Sequence, residues 1–227
     1  MAGGHPFGSS RVARGRYLAL SAGCFLAGLV LFGVAVWSRP GQWIDGRANA
    51  IILEAIPSPV REALADLARE GAVPVLAALA AGVMLLGAAH GERVRVLMAV
   101  LIPAAAVPTS LWLRDSAISR PDLGVAGYTQ NTFPSVHAAA AFALMAVIAL
   151  LWPGPRRRWH TVALLVMGMA VGLGNVTGHD HRPVDVVGSL LLVLGVTFLW
   201  MAITPAPRAR KPDFRDEVRA PMPGLSR

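Results

Sequence analysis

The chain has 227 residues, 55% hydrophobic and only 15% charged, with a mean hydropathy of +0.54 and a formal net charge of +8. A soluble domain carries nearer a quarter of its residues charged, so a soluble globular enzyme or binding module is excluded. The sequence pI near 11.3 raises the question of a nucleic-acid partner, which the placement of the charges answers below.

Uncharged apolar windows of about 18 residues or more mark membrane-spanning helices, because about 20 residues cross the hydrocarbon core. In chain order such windows fall at 17–37, 71–89 and 96–113, and three that are shorter or begin on a polar residue fall at 134–152, 161–177 and 186–203. The pattern predicts an all-α, polytopic membrane protein with six transmembrane helices in a bundle over residues 17–204. A flexible cytoplasmic arm (1–16) precedes the bundle and a cytoplasmic tail (205–227) follows it. Arg11, Arg14 and Arg16 before the first window resemble the n-region of a signal peptide. The uncharged run behind them is too long for a typical h-region and lacks a small-x-small cleavage site, so it is read as a retained helix. Cys24, the only cysteine, lies in that helix and leaves no internal disulfide.

Between the first two windows, 38–70 is read as a connecting segment resting on the bilayer, with a lid over a lipid-facing site as the second reading. Within it Ser58 is placed as an N-cap with Pro59 at the first helical position. Val60, Leu64 and Leu67 then recur at helical spacing, which gives an amphipathic surface helix.

The arm, the turns 90–95 and 153–160, and the tail hold 14 of the 21 basic residues and 4 of the 13 acids; segments 38–70, 114–135 and 175–185 hold 7 and 9. Lys and Arg collect in cytoplasmic loops, so both termini are predicted cytoplasmic in an inner or plasma membrane. The basic excess is thereby assigned to membrane anchoring, with no nucleic-acid partner. It also places 114–137 and 175–185 on one extracytoplasmic side.

Those two segments carry three polar patches. In "LRDSAISRPDL", Arg114 and Arg120 offer planar donors suited to bidentate capture of phosphate oxygens, although each alone also suits an interfacial anchor that snorkels to the headgroups. In "NTFPSVHAAAAFAL", Ser135, Val136 and His137 open the fourth window. Free backbone N–H groups and the positive dipole end make such a helix start an anion site; Ser135 is then N-cap and phosphate donor, and His137 can protonate a leaving oxygen. A simply capped helix with a histidine at the water interface fits the same residues. In "VTGHDHRPVDVV", Pro183 suits the first turn of the last helix, which puts Asp185 four residues after His181, where it can accept the Nδ1–H and leave Nε2 as nucleophile or base. His179, His181 and nearby carboxylates also suggest a metal site; it ranks below direct histidine chemistry, because there is no Cys and no second ligand helix. His179 and Asp180 are read as interfacial bystanders.

Taken together, the three patches resemble the type-2 phosphatidic acid phosphatase family, whose fold is shared with vanadium haloperoxidases. That family carries Lys, six residues, Arg-Pro; then Pro-Ser-Gly-His; then Ser-Arg, five residues, His, three residues, Asp. Here Arg120-Pro121 is followed by Pro134-Ser135-Val136-His137 and by His181 and Asp185 at the same spacing. The likeness covers 114–185. Four positions depart from it. Leu113 stands at the family Lys, with Arg114 beside it; Val136 replaces Gly; Gly174-Asn175 replaces Ser-Arg, with Arg182 the nearest substitute guanidinium.

The resemblance implies an integral-membrane lipid-phosphate phosphatase. His181 would attack phosphorus and form a phosphohistidine, supported by Asp185, with His137 protonating the alkoxide. Arg114, Arg120, Ser135, the Val136 backbone and Arg182 would hold the phosphoryl oxygens. No metal and no cofactor are implied, and the partners are the bilayer and a lipid phosphate: polyprenyl phosphate or diphosphate, phosphatidic acid or phosphatidylglycerol phosphate. Alternatives are a catalytically weakened member that binds lipid phosphate, a lipid phosphotransferase, and a haloperoxidase using the same pocket for vanadate.

Overall fold

The computed structural model describes residues 11–124, 130–153, 158–178 and 181–204. All regular structure among them is helical, in the order α1 (Arg11–Leu31), α2 (Arg39–Ala55), α3 (Ser58–Asp66), α4 (Ala72–Ala89), α5 (Arg93–Trp112), α6 (Val136–Leu151), α7 (Arg158–Thr177) and α8 (Pro183–Ile203). Single π-helical turns extend α1 to Val36 and α5 to Ala117, and a third joins α3 to α4. Among the described residues, five stretches are long and apolar enough to cross a membrane: Val12–Val36, Ser58–Ala89, Arg93–Ala117, Arg158–Thr177 and Pro183–Ile203. The sixth apolar helix, Val136–Leu151, is shorter, at 16 residues.

Large apolar side chains cover the outside of the bundle as well as its core. Leu29, Leu85 and Leu97 on α1, α4 and α5 are 69%, 72% and 69% exposed, which suits side chains facing lipid. The helix at the centre is α6, with α4, α5, α7 and α8 around it. Its small residues Ala138, Ala139, Ala141 and Ala143 are fully buried, which lets neighbouring backbones approach closely, the usual means of helix association in membranes. Close approach recurs at Gly174 of α7, where an added Cβ would lie 2.0 Å from the Leu64 carbonyl oxygen of α3.

The segment 38–70 departs from its reading as a surface connection. Ser38 caps α2 by accepting from the Gly41 N–H at 3.0 Å, with Pro40 in the first turn. Gln42 and Asp45 face inward and are buried, whereas Trp43, Ile44 and Ile51 face outward and are exposed. The amphipathic helix expected from Ser58 does form, but Ser58 is its first residue and Pro57 occupies the cap. It does not lie as a separate surface element either. It runs on into α4 and packs on α7.

One contact ties the fold directly to the site. A Cβ on Gly188 of α8 would lie 2.2 Å from the Phe133 ring. Gly188→Ala should therefore destabilise the protein by about 1–3 kcal/mol through overpacking, outweighing the roughly 1 kcal/mol that a helix gains from Gly to Ala. The unfolding midpoint in detergent checks this; an unchanged or higher midpoint would contradict it.

Candidate active site

The end of α5, the starts of α6 and α8, the end of α7 and the inner face of α2 meet at one end of the bundle, which brings together described residues of segments 38–70, 114–135 and 175–185. The Ser135 N–H donates to the Asp185 carbonyl at 3.2 Å. Ser189 clamps the same junction, its hydroxyl lying 2.8 Å from the Ser135 carbonyl and 2.9 Å from that of Asp185. Asn131 fixes the incoming strand of chain through its amide, which donates to the Arg114 and Ile118 carbonyls at 2.9 and 3.1 Å. The helix starts of α6 and α8 are thus held side by side.

Asp185 is the hub. Its side chain is fully buried, and Oδ1 accepts from Arg120 Nη2 at 2.8 Å, with the Arg120 side chain only 1% exposed. Oδ2 accepts from the Thr132 hydroxyl at 2.6 Å and from the Arg182 N–H at 2.9 Å. The last bond satisfies the backbone N–H at the cap of α8. A buried carboxylate is stable in this form because both oxygens carry charge-assisted or short hydrogen bonds. The sequence assigned this acceptor to His181, and here the structure differs. His181 Nδ1 lies 3.7 Å from Oδ2 and makes no hydrogen bond, because other donors, two of them distant in sequence, already occupy the carboxylate.

Ser135 is the N-cap of α6, accepting from Ala138 N–H at 3.3 Å. Its hydroxyl donates to Asn175 Oδ1 at 3.1 Å, while Asn175 Nδ2 donates to the Val171 carbonyl at 2.8 Å. The residue standing at the family's arginine therefore faces the site and holds the serine. Val136 begins α6 and is half-buried; His137 follows it and is exposed. Arg182 is buried at the cap of α8, its Nη1 3.7 Å from where a Cβ on Gly46 of α2 would stand. Arg114 is directed elsewhere, ion-paired to Asp115 through Nε at 2.6 Å. His179 and Asp180 lie outside the described residues. Among the described residues no three His, Cys, Asp or Glu side chains form a metal-ligand cluster.

Sequence reading missed α2. Asp45 is buried, and its Oδ1 accepts from the Val184 N–H of α8 at 3.0 Å. Burial, with Asp185 adding to it, pushes its pKa up to about 6 against the pull of the Val184 N–H, Arg182 and Arg120. A carboxyl raised on folding is protonated in both states below about pH 4. Its stabilising contribution is complete there and is lost as pH rises through about 6. Gln42 anchors the same helix, Nε2 donating to the Val36 and Pro121 carbonyls at 2.8 and 2.9 Å. The available signal was Ser38-Arg39-Pro40, a helix start, followed by Gln42, Asp45 and Asn49 at helical spacing.

The C-terminal end of α7, at Thr177 and Gly178, is supported from α3 and its extension. Arg69 donates to the Gly178 carbonyl at 2.5 Å and the Thr177 hydroxyl to the Arg61 carbonyl at 3.2 Å. A cation at the open carbonyls of the α7 C-terminus is the favourable sign.

A family model described as the PAP2 superfamily matches residues 72–209, well over half of the chain. The chain belongs to the PAP2 superfamily. Searches of curated proteins and of solved structures give no match. PAP2 membership supports a phosphatase-like function on lipid phosphate, and the apolar helices make this a multi-pass membrane protein. The matched residues contain Arg120, Ser135, His137, His181 and Asp185, and α2 lies outside them.

Proposed function

We propose that this PAP2 member is a lipid-phosphate phosphatase working through a phosphohistidine, with six transmembrane helices and its site at the extracytoplasmic rim. The observation that carries the reading is the buried Arg120–Asp185 pair, which joins the first and third sequence patches beside the N-cap of α6. α6 completes the six spans. Its 16 residues rise about 24 Å, short of a hydrocarbon core of about 30 Å. Its start is therefore recessed, which agrees with a fully buried Ser135. A phosphate held there would sit just below the rim with its tail in lipid.

In this mechanism Nε2 of His181 attacks phosphorus in line, forming the N–P bond as the P–O bond to the lipid breaks. His137 gives its proton to the departing alkoxide. Water then attacks the phosphohistidine, His137 takes the proton, and inorganic phosphate leaves. Charge on the transferring group is offset by Arg120, Arg182, Arg114 once released from Asp115, and the N–H groups of Val136 and its neighbours. Such preorganised donors dominate phosphoryl transfer. Asp185 acts on His181 chiefly through the α8 cap, and closure of the 3.7 Å gap would complete the pair in the loaded state.

One observation favours a slow enzyme or a lipid-phosphate binder as the second reading. The Ser135 hydroxyl is donated to Asn175, so phosphate must displace that bond before Ser135 can serve it. The test of the main reading is phosphate release in detergent from polyprenyl phosphate and diphosphate, phosphatidic acid and phosphatidylglycerol phosphate, against tail-less glycerol 3-phosphate. At least one tailed substrate should be turned over ten or more times faster than the tail-less one, roughly 1.4 kcal/mol or more of transition-state preference. Equal rates, or no release at all, would contradict it.

A further inference from the structure

We propose that Asp45 is a positioning residue of the phosphate site: from α2 it holds the first turn of α8, and its carboxylate opposes the incoming anion, so that anion binding and protonation of Asp45 are linked. This rests on reading the cluster as a phosphate site. It adds to that reading a residue that lies outside the family-matched stretch.

The geometry supports both halves. Asp45 reaches Val184 across 139 residues of sequence to cap the turn that begins at Arg182 and follows His181 directly. Among the described residues, the charged groups acting on it are Asp185 and Arg182 at the start of α8 and Arg120 from the segment after α5. The end of α1 over Phe32–Val36 brings no titratable group, and the titratable residues of α7 (Arg158 and His160) are in its first turn, away from Asn175. On α2 itself, Arg39, Arg47 and Glu54 are exposed on the outer side. Two guanidinium groups are thus already balanced by two carboxylates before any ligand arrives. A phosphate adds negative charge to this neutral quartet. Asp185 is committed to three donors, whereas Asp45, already pushed up to about 6, can shed its charge by taking a proton. Linkage is reciprocal: the anion raises the proton affinity of Asp45, and the proton raises the affinity for the anion.

The test uses inorganic sulfate, a tetrahedral dianion that does not titrate between pH 5 and pH 8. Its apparent Kd is read from the shift it causes in the unfolding midpoint of the detergent-solubilised full chain. Asp45→Asn keeps an oxygen for the Val184 N–H and removes the charge. At pH 8 it should bind sulfate about tenfold more tightly than wild type, and at pH 5 the two should agree within about twofold. Asp45→Ala, which also lacks the acceptor, should bind about tenfold more weakly than Asp45→Asn at both values. Asp45→Ser, a second neutral variant with a hydroxyl acceptor, should reproduce the Asp45→Asn ratios and decides the matter if Asp45→Asn does not fold. An Asn-to-wild-type ratio independent of pH, weaker binding than wild type by the Asn and Ser variants, equal affinity of the Asn and Ala variants, or no sulfate binding by any of them overturns the inference. Because sulfate binding needs no turnover, the expected ratios in a protein that releases no phosphate would retain this inference and remove the enzymatic reading.

Discussion

Asp185→Ala should lower the stability of the folded protein by about 3–5 kcal/mol, the cost of removing one partner of a buried ion pair. The size follows from what would remain. Arg120 is 5% exposed and would lose the carboxylate bonded to its Nη2, Thr132 would lose its acceptor, and the N–H at the cap of α8 would lose its partner. The lost cap alone is worth about 0.5–2 kcal/mol, and because all these bonds end on one carboxylate, the losses overlap. Asp185→Asn keeps a carbonyl oxygen for one donor and should lose less. Unfolding midpoints in detergent for both variants test this. A midpoint for Asp185→Ala within error of wild type would show that the pair does not hold the helix starts together.

His181→Ala should do the opposite, leaving the fold largely intact while turnover falls by about 10⁴-fold or more, as loss of a covalent nucleophile does. His181 is buried, and its Nδ1 stands 3.7 Å from Asp185 Oδ2 without a hydrogen bond, so its removal leaves the Arg120, Thr132 and Arg182 bonds to Asp185 in place. The two variants therefore separate support from chemistry: Asp185→Ala loses stability and activity together, His181→Ala activity alone. A His181→Ala protein as unstable as Asp185→Ala would assign the histidine a structural role.

How much of this was legible beforehand depended on the range of the interaction. Every apolar window became a helix, because a run of uncharged apolar residues specifies its environment locally. The cap at Ser135 and Pro183 in the first turn of α8 were equally local and equally visible. The helix α2 was not, because its apolar side chains Trp43, Ile44 and Ile51 face outward and its polar ones face the site; in a membrane protein that inversion resembles a loop in a hydropathy scan. Asp185 shows the other limit. Its i, i+4 spacing pointed to His181, but its side-chain partners Arg120 and Thr132 come from 65 and 53 residues away. The Asn175–Ser135 bond, 40 residues apart, was likewise out of reach of spacing. Asn175 showed in the sequence only as a departure from the family motif.

The measurement that bears most directly on the central claim is phosphate release from the best lipid phosphate of the panel, with wild type and His181→Ala compared side by side, each with and without a chelator. Wild type should release phosphate steadily, with no change on adding chelator, and His181→Ala should release only background. Equal release by the two proteins would contradict the assignment of His181, and release abolished by chelator would contradict the metal-independent mechanism.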